Sequence, residues 1–254
     1  MKKLLWSIVV LGLLAAFISD RGGCQRPLPW NKAHCEEMEQ EILDATVRIA
    51  FHGVIEIEDS YDMIRIKGTI SHATVKDGRY LLTHNHFGIP LSQLQIFNRY
   101  ANRSFSGVSV YRLDGTAVLD HAPLDAFTVV SEKGETVLLD FGTIAGEGYF
   151  AHVGIASAEV TKACTARLAP NTEVALIDWD EQRHTRVVWA QIQTVYQEKG
   201  LSLMQIDHFI ETGASGGGVF LHNQHIGNNW ARIIETNLNT GNVSQQLTLV
   251  ALNS

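Results

Sequence analysis

The chain has 254 residues, a formal net charge of −7, 45% hydrophobic residues and 19% charged ones. That is enough apolar material for one large or two small folded units, and the composition excludes a disordered chain. No block of Lys and Arg supplies the electrostatic footprint of a nucleic-acid binder, and the mild acidity disfavours anionic partners.

Met1-Lys2-Lys3 precedes an apolar run from Leu4 to Ile18, interrupted by Ser7 and Gly12. A basic head before an apolar stretch of about 15 residues fits a secretory signal better than a membrane span, which takes about 20. Residues 1–23 are therefore expected to be a signal peptide or an uncleaved N-terminal membrane anchor. The protein is expected to be exported: secreted, periplasmic or tethered to the outer face of a membrane. Leu14-Ala15-Ala16 offers a cleavage site. Cys24 after Gly22-Gly23 falls short of a lipoprotein box, because Arg21 stands where an aliphatic residue belongs. Cys24, Cys35 and Cys164 cannot all pair within the chain, and export permits one disulfide whose partners the spacing leaves open. Residues 24–44 read as a linker with Pro27 and Pro29, then a short polar helix from His34 to Leu43 whose glutamates form a solvated face.

From Ala45 the texture changes to short runs rich in Val, Ile, Thr and Tyr. Strands are expected at Val47 to Ile57, Met63 to Val75, Tyr80 to Thr83, Val108 to Leu113, Ala117 to Leu119, Phe127 to Val130 and Thr136 to Phe141. Asp77-Gly78 and Asp114-Gly115 read as tight turns. A glycine-marked span from Gly142 to about Gly154 leads to a second set: Ala156 to Thr161, Glu173 to Trp179, Arg186 to Tyr196, Leu201 to Ile206, Gly218 to Leu221, His225 to Asn237 and Leu247 to Leu252. Strand after strand without intervening helices means an all-β barrel or sandwich architecture.

Two stretches stand apart. Glu211-Thr212-Gly213-Ala214-Ser215-Gly216-Gly217-Gly218 sets a lone serine among four glycines, which points to a crowded, sharply turning backbone. Gly213, Ser215 and Gly217 also satisfy G-x-S-x-G, but that nucleophile elbow needs a following helix and a later acid and histidine, and Val219-Phe220 suits a strand. The second stretch, Gly78-Arg79-Tyr80-Leu81-Leu82-Thr83-His84-Asn85-His86-Phe87, supplies an upstream histidine. A serine hydroxyl needs a neutral imidazole to take its proton, a carboxylate to orient that imidazole, and N–H donors for the oxyanion. His84 and His86 share a strand face, so a metal pair is the competing reading, without an identifiable third ligand.

In this order the two motifs, G-x-x-L-T-x-x-H and G-x-S-G-G, resemble the trypsin-like (chymotrypsin-fold) serine peptidases, closest in style to the bacterial HtrA-type protease domain without PDZ. The resemblance spans about Ala45 to the end. It implies two six-stranded antiparallel β-barrels, residues 45–145 with His86 and residues 146–254 with Ser215, and a site in the cleft between them. It also implies catalytic His86 and Ser215, an oxyanion hole from the Gly213 and Ser215 N–H groups, no cofactor and no metal. For the acid, Glu135-Thr136-Val137-Leu138-Leu139 matches a family pattern that usually begins with Asp, with Asp140 and Asp125 as alternatives. The substrate wall falls on Phe209 to Thr212 and Asn228 to Ala231, hence Phe209, Thr212, Asn229 and Trp230. Phe209 replaces the Asp that goes with cleavage after Lys or Arg, so an apolar preference is expected. Without an Ile-Val-Gly-Gly-like opening, activation by a freed N-terminus is not expected. The implied function is an exported serine endopeptidase acting on protein or peptide; a silent peptide-binding module and an esterase are the alternatives.

Overall fold

The computed structural model describes residues 32–58, 63–67, 70–86, 91, 105–133, 135–142, 148–163, 168–236 and 242–253. The apolar leader, Cys24 and Cys164 lie outside the described residues. Among those described, no helix is long and apolar enough to cross a membrane, and Cys35 is buried and free. The chain divides into two compact units, Met1–Glu36 and Glu37–Ser254.

Helix α1, Lys32–Asp44, runs slightly beyond the expected span. Its Ile42 packs with Ala175, Ile177 and Phe220, and Glu39 accepts a hydrogen bond from Trp189 Nε1 at 2.7 Å.

The first sheet contains β1 (Thr46–Glu58), β2 (Met63–Lys67), β3 (Ile70–Lys76), β4 (Tyr80–His84), β5 (Phe105–Tyr111), β6 (Ala117–Ala122), β7 (Thr128–Lys133) and β8 (Thr136–Asp140). Its order is β6-β5-β1-β3-β4-β8-β7, with β2 on β1. Val47, Ile49 and Phe51 alternate inward along β1 and are buried with Val75, Leu81 and Val110, the period-2 pattern that makes one face of a strand apolar. The expected single strand from Met63 to Val75 is two. Strand β1 is kinked by a bulge at His52/Gly53, so Val54–Glu58 pair with β2 and Thr46–Ala50 pair with β3. The Asp77-Gly78 turn joins β3 to β4 with φ +53° and +64°, the two left-handed residues of a type I′ hairpin.

The second sheet contains β9 (Glu159–Val160), β10 (Glu173–Trp179), β11 (Thr185–Glu198), β12 (Leu201–Ile206), β13 (Gly218–Leu221), β14 (Gln224–Thr236) and β15 (Val243–Leu252). Strands β13-β10-β11-β12-β15-β14 form a ring, because β14 also pairs with β13. This is a closed six-stranded barrel, its core built on Val174, Leu176, Ile192, Met204, Val219 and Val250. The first sheet curls without a described pairing between β6 and β7, so the architecture is the expected double barrel with one half open. The halves meet where β3 faces β13 and the start of β11, and β4 faces β14. There His72 Nε2 shares a hydrogen bond with Thr185 Oγ1 at 3.0 Å, and the His72 ring lies 4.1 Å from that of Trp179.

Candidate active site

Strand pairing puts a carboxylate beside His86. Strands β4 and β8 are antiparallel with His84 opposite Thr136, and the next rung is closed by Asn85 N–H donating to the Glu135 carbonyl at 3.0 Å. One residue further on, His86 Nδ1 and Glu135 Oε2 are 3.1 Å apart. Asn85 fixes the strand end by donating to Glu132 Oε1 at 2.7 Å and accepting from the Leu91 N–H at 3.1 Å. The alternative acids are elsewhere. Asp140 is held by Arg79 through two bonds of 2.8 and 2.7 Å, and this pairing keeps its carboxyl below the usual range. Asp125 lies in the 3-10 turn Leu124–Ala126.

The serine-bearing turn docks onto the same strand end. Ser71 of β3 donates through its hydroxyl to the Ser215 carbonyl. Gly216, at φ +80°, lies so close to β3 and β4 that a Cβ there would sit 2.6 Å from the His72 carbonyl and 2.8 Å from His84 Cδ2, with Thr83 Oγ1 closer still. No side chain fits. Asn229 locks the turn from the other side, with Gly216 N–H donating to its carbonyl and its N–H donating to the Gly217 carbonyl, both at 2.9 Å. Neither the Gly213 nor the Ser215 N–H donates to a partner among the described residues. The Ser215 hydroxyl donates to the Trp230 carbonyl at 3.3 Å. His86 and Ser215 share no hydrogen bond among the described residues; the turn and the His86 strand are joined through Thr83, His84 and the β3 backbone.

His84, its ring centroid 4.3 Å from that of His86 and the two planes inclined by 59°, is buried, and burial together with the neighbouring His86 holds its pKa well below the ordinary value. Among the described residues no group of three His, Cys, Asp or Glu is placed to hold a metal ion.

The four residues expected on the substrate wall divide. Phe209 carries the Arg232 guanidinium 5.0 Å from its ring centroid. The Thr212 carbonyl accepts a hydrogen bond from Arg183 Nη1 at 2.7 Å. Trp230 offers its carbonyl to Ser215. Asn229 is fully buried and donates to the Ile177 carbonyl at 2.7 Å, so its side chain sits beneath the turn and not on the wall. His225, at 0% exposure, is pushed by burial down to about 4 despite its bond to Asn228, and it belongs to the barrel interior.

Sequence reasoning missed the residues that brace the turn. Asp178, 1% exposed, binds His208 Nε2 at 2.7 Å and the Glu211 N–H at 2.9 Å. Burial raises its pKa, but the hydrogen bonds from His208, Glu211 and Trp179 outweigh this and leave it lowered. A lone carboxylate ending the apolar run Val174-Ala175-Leu176-Ile177 was the available signal. Arg183 and Ser71 gave none.

No family model matches the sequence, and no curated protein matches it. Solved structures do match. The HtrA-type protease AlgW with a tripeptide superposes with a TM-score of 0.52 at 14% identity, over 84% of this chain and 57% of that one. AlgW with a decapeptide gives 0.52 at 13% identity, over 84% and 62%. The chain thus spans about three fifths of the AlgW chains it matches. The active form of the Rv3671c protease from M. tuberculosis gives 0.52 at 14% identity, over 89% of this chain and 82% of that one. At this level of identity the likeness is one of architecture, and the chain has the double-barrel fold of the trypsin-like, HtrA-type serine proteases.

Proposed function

We propose that the protein is an exported serine endopeptidase in which His86, oriented by Glu135, activates Ser215. The observation that carries this reading is the shared strand end: the rung beyond His84–Thr136 sets Glu135 on His86, and the Ser215 turn packs through Gly216 against Thr83 and His84 just before it. In the reaction the Ser215 hydroxyl leaves the Trp230 carbonyl and attacks the scissile carbonyl carbon while its proton passes to His86 Nε2. The Nδ1–H of the imidazolium donates to Glu135. The oxyanion takes up the Gly213 and Ser215 N–H groups. Collapse breaks the C–N bond, the amine leaves with the His86 proton, and water then releases the acyl group by the same steps in reverse.

An extended peptide has an edge to pair with. Strand β14 is bonded to β13 only as far as Asn228, and from Trp230 onward the edge facing Ser215 carries no described strand. The AlgW structures hold peptides, which supports a peptide substrate here. A silent binding module on this edge is the second reading, favoured by a Ser215 hydroxyl that rests on Trp230 and not on His86. A fluorophosphonate probe separates the two. Covalent labelling of wild type and its loss in Ser215→Ala are expected; a folded wild type that does not label, or a mutant that still does, rules out Ser215 as nucleophile.

A further inference from the structure

The serine-bearing segment opens with a four-residue turn in which Ala214 N–H donates to the Glu211 carbonyl at 3.1 Å. Its third residue, Gly213, has φ +89°, the mark of a type II turn. Types I and II differ by roughly 150° in ψ of the second residue and roughly 170° in φ of the third, which turns over the peptide between them. Here that peptide joins Thr212 to Gly213. In a trans peptide C=O and N–H point to opposite sides, so fixing the Thr212 carbonyl also fixes the direction of the Gly213 N–H.

Arg183 fixes that carbonyl. Its Nη1 donates to Thr212 O at 2.7 Å, and its guanidinium lies over the Trp179 ring, 5.1 Å from the centroid. The platform is rigid: Trp179 is buried against His72. The hairpin carrying Arg183 is closed by Asp180, whose Oδ1 accepts the Gln182 and His184 N–H groups at 2.9 and 2.8 Å. A Cβ on Gly213 would come within 3.4 Å of Arg183 Nη2 and 3.6 Å of Trp179 Nε1, so the turn rests on these two side chains. Asp178 holds the turn's first residue through the Glu211 N–H. Glycine at 213 tolerates both turn types, which leaves the choice to these contacts.

We infer that Arg183 is a positioning residue: by holding the Thr212 carbonyl it selects the type II turn and aims the Gly213 N–H at the oxyanion. With the peptide reversed, an acceptor would stand where negative charge develops. This inference rests on the hydrolase reading of Ser215 and adds a control element to it.

The test pairs a rate with a structural readout, on full-length protein carrying isotope-labelled glycine. In Arg183→Ala the bimolecular rate of fluorophosphonate labelling is expected to fall roughly 10- to 100-fold, a fraction of what deleting an oxyanion donor costs. The pH midpoint of that rate should stay unchanged, because His86 is untouched. The Gly213 amide resonance should move, and Arg183→Lys, which keeps one donor, should recover part of the rate. A rate within twofold of wild type, a shifted pH midpoint or an unmoved Gly213 resonance overturns the inference. If wild type itself does not label, the hydrolase reading fails, and the resonance alone decides: displaced in Arg183→Ala sustains the positioning role, unmoved ends it.

Discussion

At the scale of single residues, the two carboxylates near strand β8 have different work. Glu135 binds His86, and Asp140 neutralises Arg79 in a half-buried pair. Glu135→Gln should therefore lower turnover on the order of ten-thousand-fold, as expected when an imidazole loses its orienting anion, with little effect on stability. Asp140→Asn should cost on the order of 2 kcal/mol of stability and leave turnover within a few-fold. Parallel kinetics and urea titrations of the two variants check this, and a reversal of the two phenotypes would reassign the acid. Phe209 with Arg232 over its ring makes a cationic P1 side chain unwelcome, so peptides cleaved after Lys or Arg should be poor substrates beside apolar ones. The glycine turn around Ser215 and the strand ending at His86 were legible as local structure because their neighbours obey fixed spacings. The role of Asn229 was not, since strand alternation at a bulge between Asn229 and Ala231 decides whether that side chain faces substrate or core.

At the scale of elements, the turn and β4 are fitted so closely that Gly216 has no substitute. Gly216→Ala would combine a left-handed backbone with overlap against Thr83 and the His72 carbonyl. About 3 kcal/mol of destabilisation is expected from strain and overpacking together, read as a lower urea midpoint; an unchanged midpoint would show that the turn is not clamped. The strand pattern was readable for β10 and β12, where apolar runs match the observed Glu173–Trp179 and Leu201–Ile206. The break between β2 and β3 was hidden because it follows from a bulge in their common partner β1 and not from the residues of the run itself. Bracing by Asp178 and Arg183 is a tertiary property of the same kind: their partners lie 33 and 29 residues away.

At the scale of the whole molecule, three buried histidines make stability depend on pH. Burial holds His72 at about 3 and His225 at about 4, and His84 well below its ordinary value of 6.5. Above about pH 6.5 these groups are neutral in both states and contribute no pH dependence. As pH falls below that, the unfolded chain takes up protons that the folded chain refuses, so stability drops, by roughly 2 kcal/mol per histidine on reaching pH 5. The depressed carboxylates Asp140 and Asp178 act only below about 3.8, while between pH 7 and 5 the lowered His52 adds to the loss and the raised Glu173 opposes it; the urea midpoint should fall overall, and a flat profile would mean that the buried histidines are protonated in the fold. The double barrel was foreseeable from strand density and the two ordered motifs, whereas the open edge of the first half depends on pairings no local pattern encodes. The architecture packs the Ser215 turn of one barrel against the strand end that carries His86 in the other half. Peptide mapping of the fluorophosphonate adduct in wild type and His86→Ala measures that union most directly. The account predicts a single adduct on Ser215 that forms at least about 1000-fold more slowly without His86; equal rates in the two proteins, or an adduct on another residue, would contradict it.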